Sequence, residues 1–256
     1  MPQNYATTNF KIPVESSSYQ EDSNYVISKM AQILSNKIAI GENKIILNTN
    51  LKLGLPLENI NKIAGPMMEA WAQETFSIIN QDMQNQYNLV NVEVGARLAV
   101  SDIILQFSKN NTVVTGNIDV KATSEDIKGS GKSPNITSFA RIRSEYIKDP
   151  DFIFIVLSLK HKTYSLKNAD TGLMDGIMEV AKFNVYDLKF ISASDISYNP
   201  SLGTGQIQIR DIHYVTYEMR TTWEFLQLLD KKYLKSSRRD FQQWLNLARQ
   251  NQWIKE

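Results

Sequence analysis

Asp119 and Lys121 stand two residues apart in an apolar, β-like run, TVVTGNIDVKA, and Asp102 stands in a second such run, VSDIILQF, just upstream. Alternate residues of a strand share a face, so Asp119 and Lys121 are expected to point the same way. Asn110-Asn111 separates the runs, and Asn tolerates the positive φ that a two-residue hairpin turn requires. A turn at that pair sets a register in which facing positions sum to 221. Asp102 then faces Asp119 at roughly 5 Å. Two carboxylates so placed repel unless a cation or a proton joins them. With a lysine on the same face, they make a site for Mg²⁺ and a phosphate group.

The pattern alone is not specific. An acid two residues before a lysine occurs at five places, starting at Glu42, Asp119, Asp126, Asp187 and Asp230. Only Asp119 combines a strand-like context with an aspartate across an expected hairpin. A solvated hairpin edge of alternating charge reads the same way. A bulge at Gly116 would shift the pairing by one residue.

Several elements must position these side chains. NYVISKMAQILSNKI has helical spacing at Val26, Ile27, Met30, Ile33 and Leu34. A short helix is expected from Leu55 to Ile63, and a stronger one runs from Gly65-Pro66 to Ile79, with Pro66 in its first turn. Tyr87–Val94, Val100–Phe107 and Thr112–Ala122 are three consecutive strands, and residues 123–135 read as a polar loop. ITSFARIRSEYI reads as a helix. DFIFIVLSL is a nearly continuous apolar run, as in a central strand covered on both faces. VYDLKFIS and QIQIRDIHYV are later strands, and WEFLQLLDKKYL and DFQQWLNLARQ are closing amphipathic helices. Residues 1–24 are polar and read as an arm or loop. No repeat or linker interrupts the chain, so one α/β (α+β) domain over residues 1–256 is expected.

Composition narrows the chemistry. The 256 residues carry a net charge of +1 and are 42% hydrophobic. Any nucleic-acid surface must therefore be a localised positive cleft. With no cysteine, disulfides, thiolate zinc sites and cysteine nucleophiles are excluded. The two histidines, His161 and His213, lie too far apart in sequence for a zinc-hydrolase ligand set. The start, MPQNYATTNF, lacks the pattern of a secretory signal, and no apolar run reaches membrane-spanning length, so a cytoplasmic protein without a membrane partner is expected.

Two phosphate-loop look-alikes fail on spacing or context. GSGKS at 129–133 lacks the required earlier glycine, since position 126 is Asp, and Gly203-Thr204-Gly205 precedes a strand rather than following one. No nucleotide cofactor is expected. The Asp/Asn-Pro-Pro-aromatic signature of amino-methyltransferases is also absent.

Other residues are candidates for supporting roles. Glu69 lies on the helix after Gly65-Pro66 and would lay a carboxylate against the metal site; Glu74 and Glu93 compete for that role. Lys132, Ser133 and Asn135 follow the proposed catalytic strand in a polar loop able to enter a DNA groove, where Asn pairs with adenine edges. Arg141 and Arg143 are candidate phosphate contacts, or, on a helix, solvated or ion-paired residues. Lys231, Lys232, Lys235, Arg238 and Arg239 form the densest basic stretch, which reads as a solvated face ahead of a phosphate-binding one. Trp223, Phe225, Leu228, Leu229 and Trp244 read as core.

NIDVKATSEDIKGSGKSPNITSFARIRSEYIKDPDFIFIVLSLKH is similar to type II restriction endonucleases of the HpaI type, as are KIAGPMMEAWAQETF, NVEVGARLAVSDIILQF and LGTGQIQIRDIHYVT. FKIPVES near the start and the final WIKE fit as well, so the resemblance runs from about residue 10 to the end. More distantly the chain resembles the HincII and EcoRV group, which implies a mixed sheet flanked by helices with the PD-(D/E)xK nuclease core. The resemblance implies metal binding by Asp102 and Asp119, a catalytic role for Lys121, and a supporting carboxylate at Glu69. It places groove-reading residues at Asn135, at Tyr198-Asn199 and around Gln206 and Gln208. It also implies a homodimer acting on double-stranded DNA with Mg²⁺, or Mn²⁺ in its place. Cleavage at GTTAAC, with blunt 5′-phosphate ends, is the implied outcome. The proline of the motif is missing, since Ser101 precedes Asp102. A structure-selective repair or recombination nuclease with the same core, and a catalytically silent DNA-binding protein, are the alternative readings.

Overall fold

The computed structural model describes residues 2–82, 85–96, 99–127 and 132–255. In chain order the elements are α1 (Gln3–Ala6), α2 (Tyr19–Ala39), β1 (Lys44–Leu47), α3 (Leu57–Lys62), α4 (Ala64–Gln81), β2 (Leu89–Val94), β3 (Ile103–Lys109) and β4 (Thr112–Ser124). There follow β5 (Asn135–Ser138), α5 (Phe139–Lys148), β6 (Ile153–Lys167), β7 (Met174–Asp187), β8 (Ile196–Asn199), β9 (Gln206–Ile209), α6 (Thr222–Leu234) and α7 (Phe241–Gln250). Two compact units share them: residues 24–132 with 155–186, and residues 1–23 with 133–154 and 187–256. Among the described residues no helix is long and apolar enough to cross a membrane.

The first unit is built on a six-stranded sheet in the order β1-β7-β6-β4-β3-β2. The apolar run expected to be central is central. Ile155, Val156, Leu157 and Leu159 of β6 are fully buried, and β6 lies between β7 and β4. The β3–β4 hairpin turns at Asn110 and Asn111, whose φ values are 49° and 65°. Its ladder runs without a shift from Lys109↔Thr112 to Ile103↔Ile118. Gly116 is therefore not a bulge. It lacks a side chain because one would meet Val26 Cγ1 of α2 at 2.7 Å. Helix α4 packs on β4 and β2, burying Met68, Ala72 and Phe76. Met68 and Phe76, fully buried, each contribute about 1.5–3 kcal/mol.

The second unit carries a three-stranded sheet, β5-β9-β8, and an aromatic core that includes Phe139, Tyr146, Phe225, Tyr233, Trp244 and Trp253. Helices α6 and α7 begin at capping boxes, Thr221 with Glu224 and Asp240 with Gln243. Residues 1–24 are not a free arm. Tyr5 is buried and donates to Asp230 Oδ2 at 2.6 Å, Phe10 bridges to Ile254, and α2 already starts at Tyr19. The ITSFARIRSEYI segment also differs from the expected single helix. Its first residues pair with β9 as a strand, and the helix starts only at Phe139, after the extended Ser138.

Candidate active site

The end of the β3–β4 hairpin brings three of the four proposed catalytic residues together. The register is the expected one, but the ladder stops at Ile103↔Ile118, one residue short of Asp102. Asp102 turns out of the strand and uses its groups differently. Its N–H donates to Ile118 O at 2.8 Å, and its Oδ2 accepts the N–H of Val120 at 2.7 Å. That bond pins the Asp102 carboxylate to the residue between Asp119 and Lys121. On the other side, the N–H of Gly95 donates to Asp102 O at 2.8 Å. A Cβ on Gly95 would overlap Ser101 O, so only glycine allows this closure. Sequence reading missed Gly95, although an isolated glycine in a strand pattern is the signal of close backbone approach.

Asp119 and Lys121 share a face, as strand alternation requires. Lys121 Nζ donates to Asp119 Oδ1 at 2.8 Å. It also lies 2.7 Å from buried Oδ2, an oxygen that has no hydrogen-bond partner besides this ion pair. Asp119 is only 5% exposed. Burial pushes its carboxyl up to about 7, with Asp102 and Glu69 adding in the same direction and Lys121 opposing them. Burial likewise raises Glu69, helped by the Asp102 charge and opposed by Lys121. Glu69 is thus electrostatically coupled to the hairpin site. Glu74 is exposed on the same helix, and exposed Glu93 accepts from Asn91 Nδ2 at 2.9 Å.

A buried carboxylate oxygen met only by a lysine ammonium, beside a second fixed carboxylate, suits a hard divalent cation. Among the described residues no three His, Cys, Asp or Glu side chains form a ready ligand cluster. Mg²⁺ does not require one, because it keeps several waters and takes one or two carboxylates plus phosphate oxygens.

The proposed DNA-reading residues form a second group. In the β5-β9-β8 sheet, Gln208 pairs with both Asn135 and Ser197, and Gln206 pairs with both Ser138 and Asn199. Directly paired residues share a face, so these six side chains line one polar face. The opposite face holds the buried Ile136, Ile196, Ile207 and Ile209. Asn199 Nδ2 approaches Asn135 Oδ1 at 3.5 Å. Ser197 was not singled out in the sequence, although period-two spacing from Asn199 marks it. Tyr198 is turned the other way, and its hydroxyl donates to Thr204 O at 2.8 Å.

The basic candidates divide. Arg143 is fully buried and bonds Asp230 twice, Nε to Oδ1 at 2.8 Å and Nη2 to Oδ2 at 2.9 Å. It lies over the Trp253 ring at 4.3 Å. It is a core ion pair and not a phosphate contact. Arg141 and Lys132 are exposed. Ser133 is exposed and donates to Arg210 O. Lys232 donates to Ala193 O at 2.6 Å. Gly203 and Gly205, with φ of 51° and 87°, form the turn between β8 and β9 and no dinucleotide loop. Residues 129–131 of the GSGKS segment lie outside the described residues.

Comparison with known proteins decides the family. Residues 6–252 match the family described as "Type II restriction endonuclease HpaI". The chain is 63% identical over 252 residues to the type II restriction enzyme HpaI of Haemophilus parainfluenzae, covering 98% of this chain and 99% of that protein. This chain belongs to the HpaI family of type II restriction endonucleases. In three dimensions it is similar to the NlaIV restriction endonuclease, with a TM-score of 0.50 and 11% identity over 86% of this chain and 85% of that one. At that identity the likeness concerns the fold, a restriction-endonuclease mixed sheet flanked by helices. The HpaI-family membership spans both units, so the hairpin site and the polar sheet face belong to one matched region.

Proposed function

We propose that this chain is a homodimeric, Mg²⁺-dependent endonuclease that cuts double-stranded DNA at the centre of GTTAAC and leaves blunt ends. That it is a type II restriction enzyme, a site-specific deoxyribonuclease, follows from family membership. One observation supports the metal-dependent mechanism above the rest. Two acids and a lysine converge at one hairpin end, with Asp119 Oδ2 buried and met only by the Lys121 ammonium.

Asp102 and Asp119 would hold Mg²⁺, and Mn²⁺ suits the same oxygens. When bound, the metal lowers the pKa of a coordinated water and neutralises charge on the scissile phosphate. Asp119 has to be ionised to serve, and the Lys121 ammonium favours that form. Lys121 also aligns the attacking water and offsets the negative charge that builds on phosphorus. Glu69 adds a third negative charge that attracts a cation. The attacking water gives up a proton to solvent as its oxygen bonds to phosphorus in line, the bond to the 3′ oxygen breaks, and the 3′ oxygen takes a proton from solvent. The products are a 5′-phosphate and a 3′-hydroxyl.

A palindrome presents two identical half-sites, which a two-fold dimer reads with the same residues twice. Asn135, Asn199, Gln206 and Gln208 carry amides that can both donate to and accept from adenine. The hexamer and the central cut rest on the resemblance to the HpaI type. Digestion of a plasmid with one GTTAAC site tests the proposal. Linear, blunt-ended product with Mg²⁺, and none with EDTA, is expected. Cutting without divalent metal would refute the mechanism.

A further inference from the structure

Arg239 lies in the connector between α6 and α7, next to Asp240, whose side chain accepts Gln243 N–H at 2.8 Å and fixes the start of α7. Its guanidinium sits 5.6 Å from the Tyr233 ring centroid, and Tyr233 stacks on Phe139 at 4.6 Å. From this firm base Arg239 reaches the turn between β8 and β9 at three points. Nε donates to Tyr198 Oη at 2.9 Å, and Nη2 donates to Pro200 O at 3.0 Å and to Gly203 O at 2.6 Å. Tyr198 Oη passes the connection on to Thr204 O at 2.8 Å. Gly205, with φ of 87°, lies so close to the Tyr198 ring that a Cβ would overlap it. Asn199 and Gln206 are paired with each other at the two ends of this turn.

We propose that Arg239 is a positioning residue for base recognition: its fork clamps the β8–β9 turn and thereby fixes Asn199 and Gln206 on the polar sheet face. The inference rests on the reading of that face as the base-reading surface. Arg239 stands in a basic run that could meet phosphate, but three of its five N–H donors are engaged inside the protein. A planar fork that spans a hydroxyl and two carbonyls is a task for arginine and not for lysine.

The test compares Arg239→Ala, Arg239→Lys and Gly205→Ala with the wild-type enzyme. Single-turnover cleavage is measured at the hexamer the wild type cuts best and at its one-base variants, alongside binding to random-sequence DNA across salt concentrations. The clamp predicts that both Arg239 variants lose about tenfold or more of the ratio between true site and variants, the order of one lost base contact. The rate at one-base variants and the salt slope should stay near wild type. Gly205→Ala should show the same loss, because it displaces Tyr198 with Arg239 intact, and it decides the matter if the Arg239 variants fail to fold. Full rescue by Arg239→Lys, or a salt slope lower by about one with the ratio unchanged, would mark a phosphate contact and overturn the clamp. An equal fall at all sequences would mark a merely structural role and also overturn it. A wild type that prefers another hexamer refutes the GTTAAC assignment but leaves this ratio measurable.

Discussion

Asp102 Oδ2 accepts the backbone N–H of Val120 at 2.7 Å, so one proposed metal ligand is held by the peptide between the other two proposed catalytic side chains. The arrangement links the acid pair rigidly to the lysine. Asp119→Ala and Lys121→Ala should each lower cleavage on the order of a hundredfold or more, the usual loss when a transition-state electrostatic contact is removed. Asp119→Ala should weaken divalent-metal binding as well, measured by titration calorimetry, whereas Lys121→Ala should retain it. Near-normal cleavage by either variant would contradict the site.

The raised Asp119 carboxyl has a consequence for stability without metal. An unfolded Asp titrates near 4, and the folded one near 7. The folded state thus binds this proton more tightly. The stability it contributes is full below about pH 4 and is lost as pH rises through about 7. Asp119→Asn mimics the protonated form. In EDTA, its melting temperature relative to wild type should climb between pH 5 and pH 8, read by thermal scans. A constant offset across that range would show that Asp119 has no raised pKa.

Gly95→Ala should act on chemistry through position. The added Cβ would overlap Ser101 O, forcing the segment that carries Asp102 to move. A displacement of that kind at a reacting group costs on the order of a hundredfold in rate. Cleavage should fall well beyond any loss of DNA binding, compared by gel shift and single-turnover kinetics. An unchanged rate would mean that Gly95 does not place Asp102.

Arg143→Ala should unfold the second unit before it alters phosphate recognition. Removing one partner of a buried pair leaves an uncompensated charge and costs about 3–5 kcal/mol. Denaturant titration should show that loss. Arg141→Glu, at an exposed position, should instead weaken binding to all sequences alike if it contacts phosphate. Stability near wild type for Arg143→Ala would overturn the core-pair assignment.

How much was legible in the sequence follows from the range of the interactions. The β3–β4 register was readable because two asparagines and period-two patterning are local signals, and β6 announced itself by seven successive buried residues from Ile153 to Leu159. The end of the ladder before Asp102 was not readable, because it depends on the carboxylate taking a bond that a strand would make with backbone. Arg143 read as a phosphate contact, a solvated residue or an ion pair alike until its partner, 87 residues away, was in place. The four-residue strands β1 and β8 escaped notice, since a run that short carries little periodicity. Asn135, Asn199, Gln206 and Gln208 were nameable from the resemblance. Their gathering on one face needed the pairing of three separated strands.

Sequencing the ends of a genome-sized DNA digested with the purified protein and Mg²⁺ tests the central claim most directly. The account predicts that nearly all ends are blunt, carry 5′-phosphate and fall at the centre of GTTAAC, and that Asp119→Ala produces none. Staggered ends, or cutting at another hexamer, would contradict the proposed specificity, and cutting by Asp119→Ala would contradict the site itself.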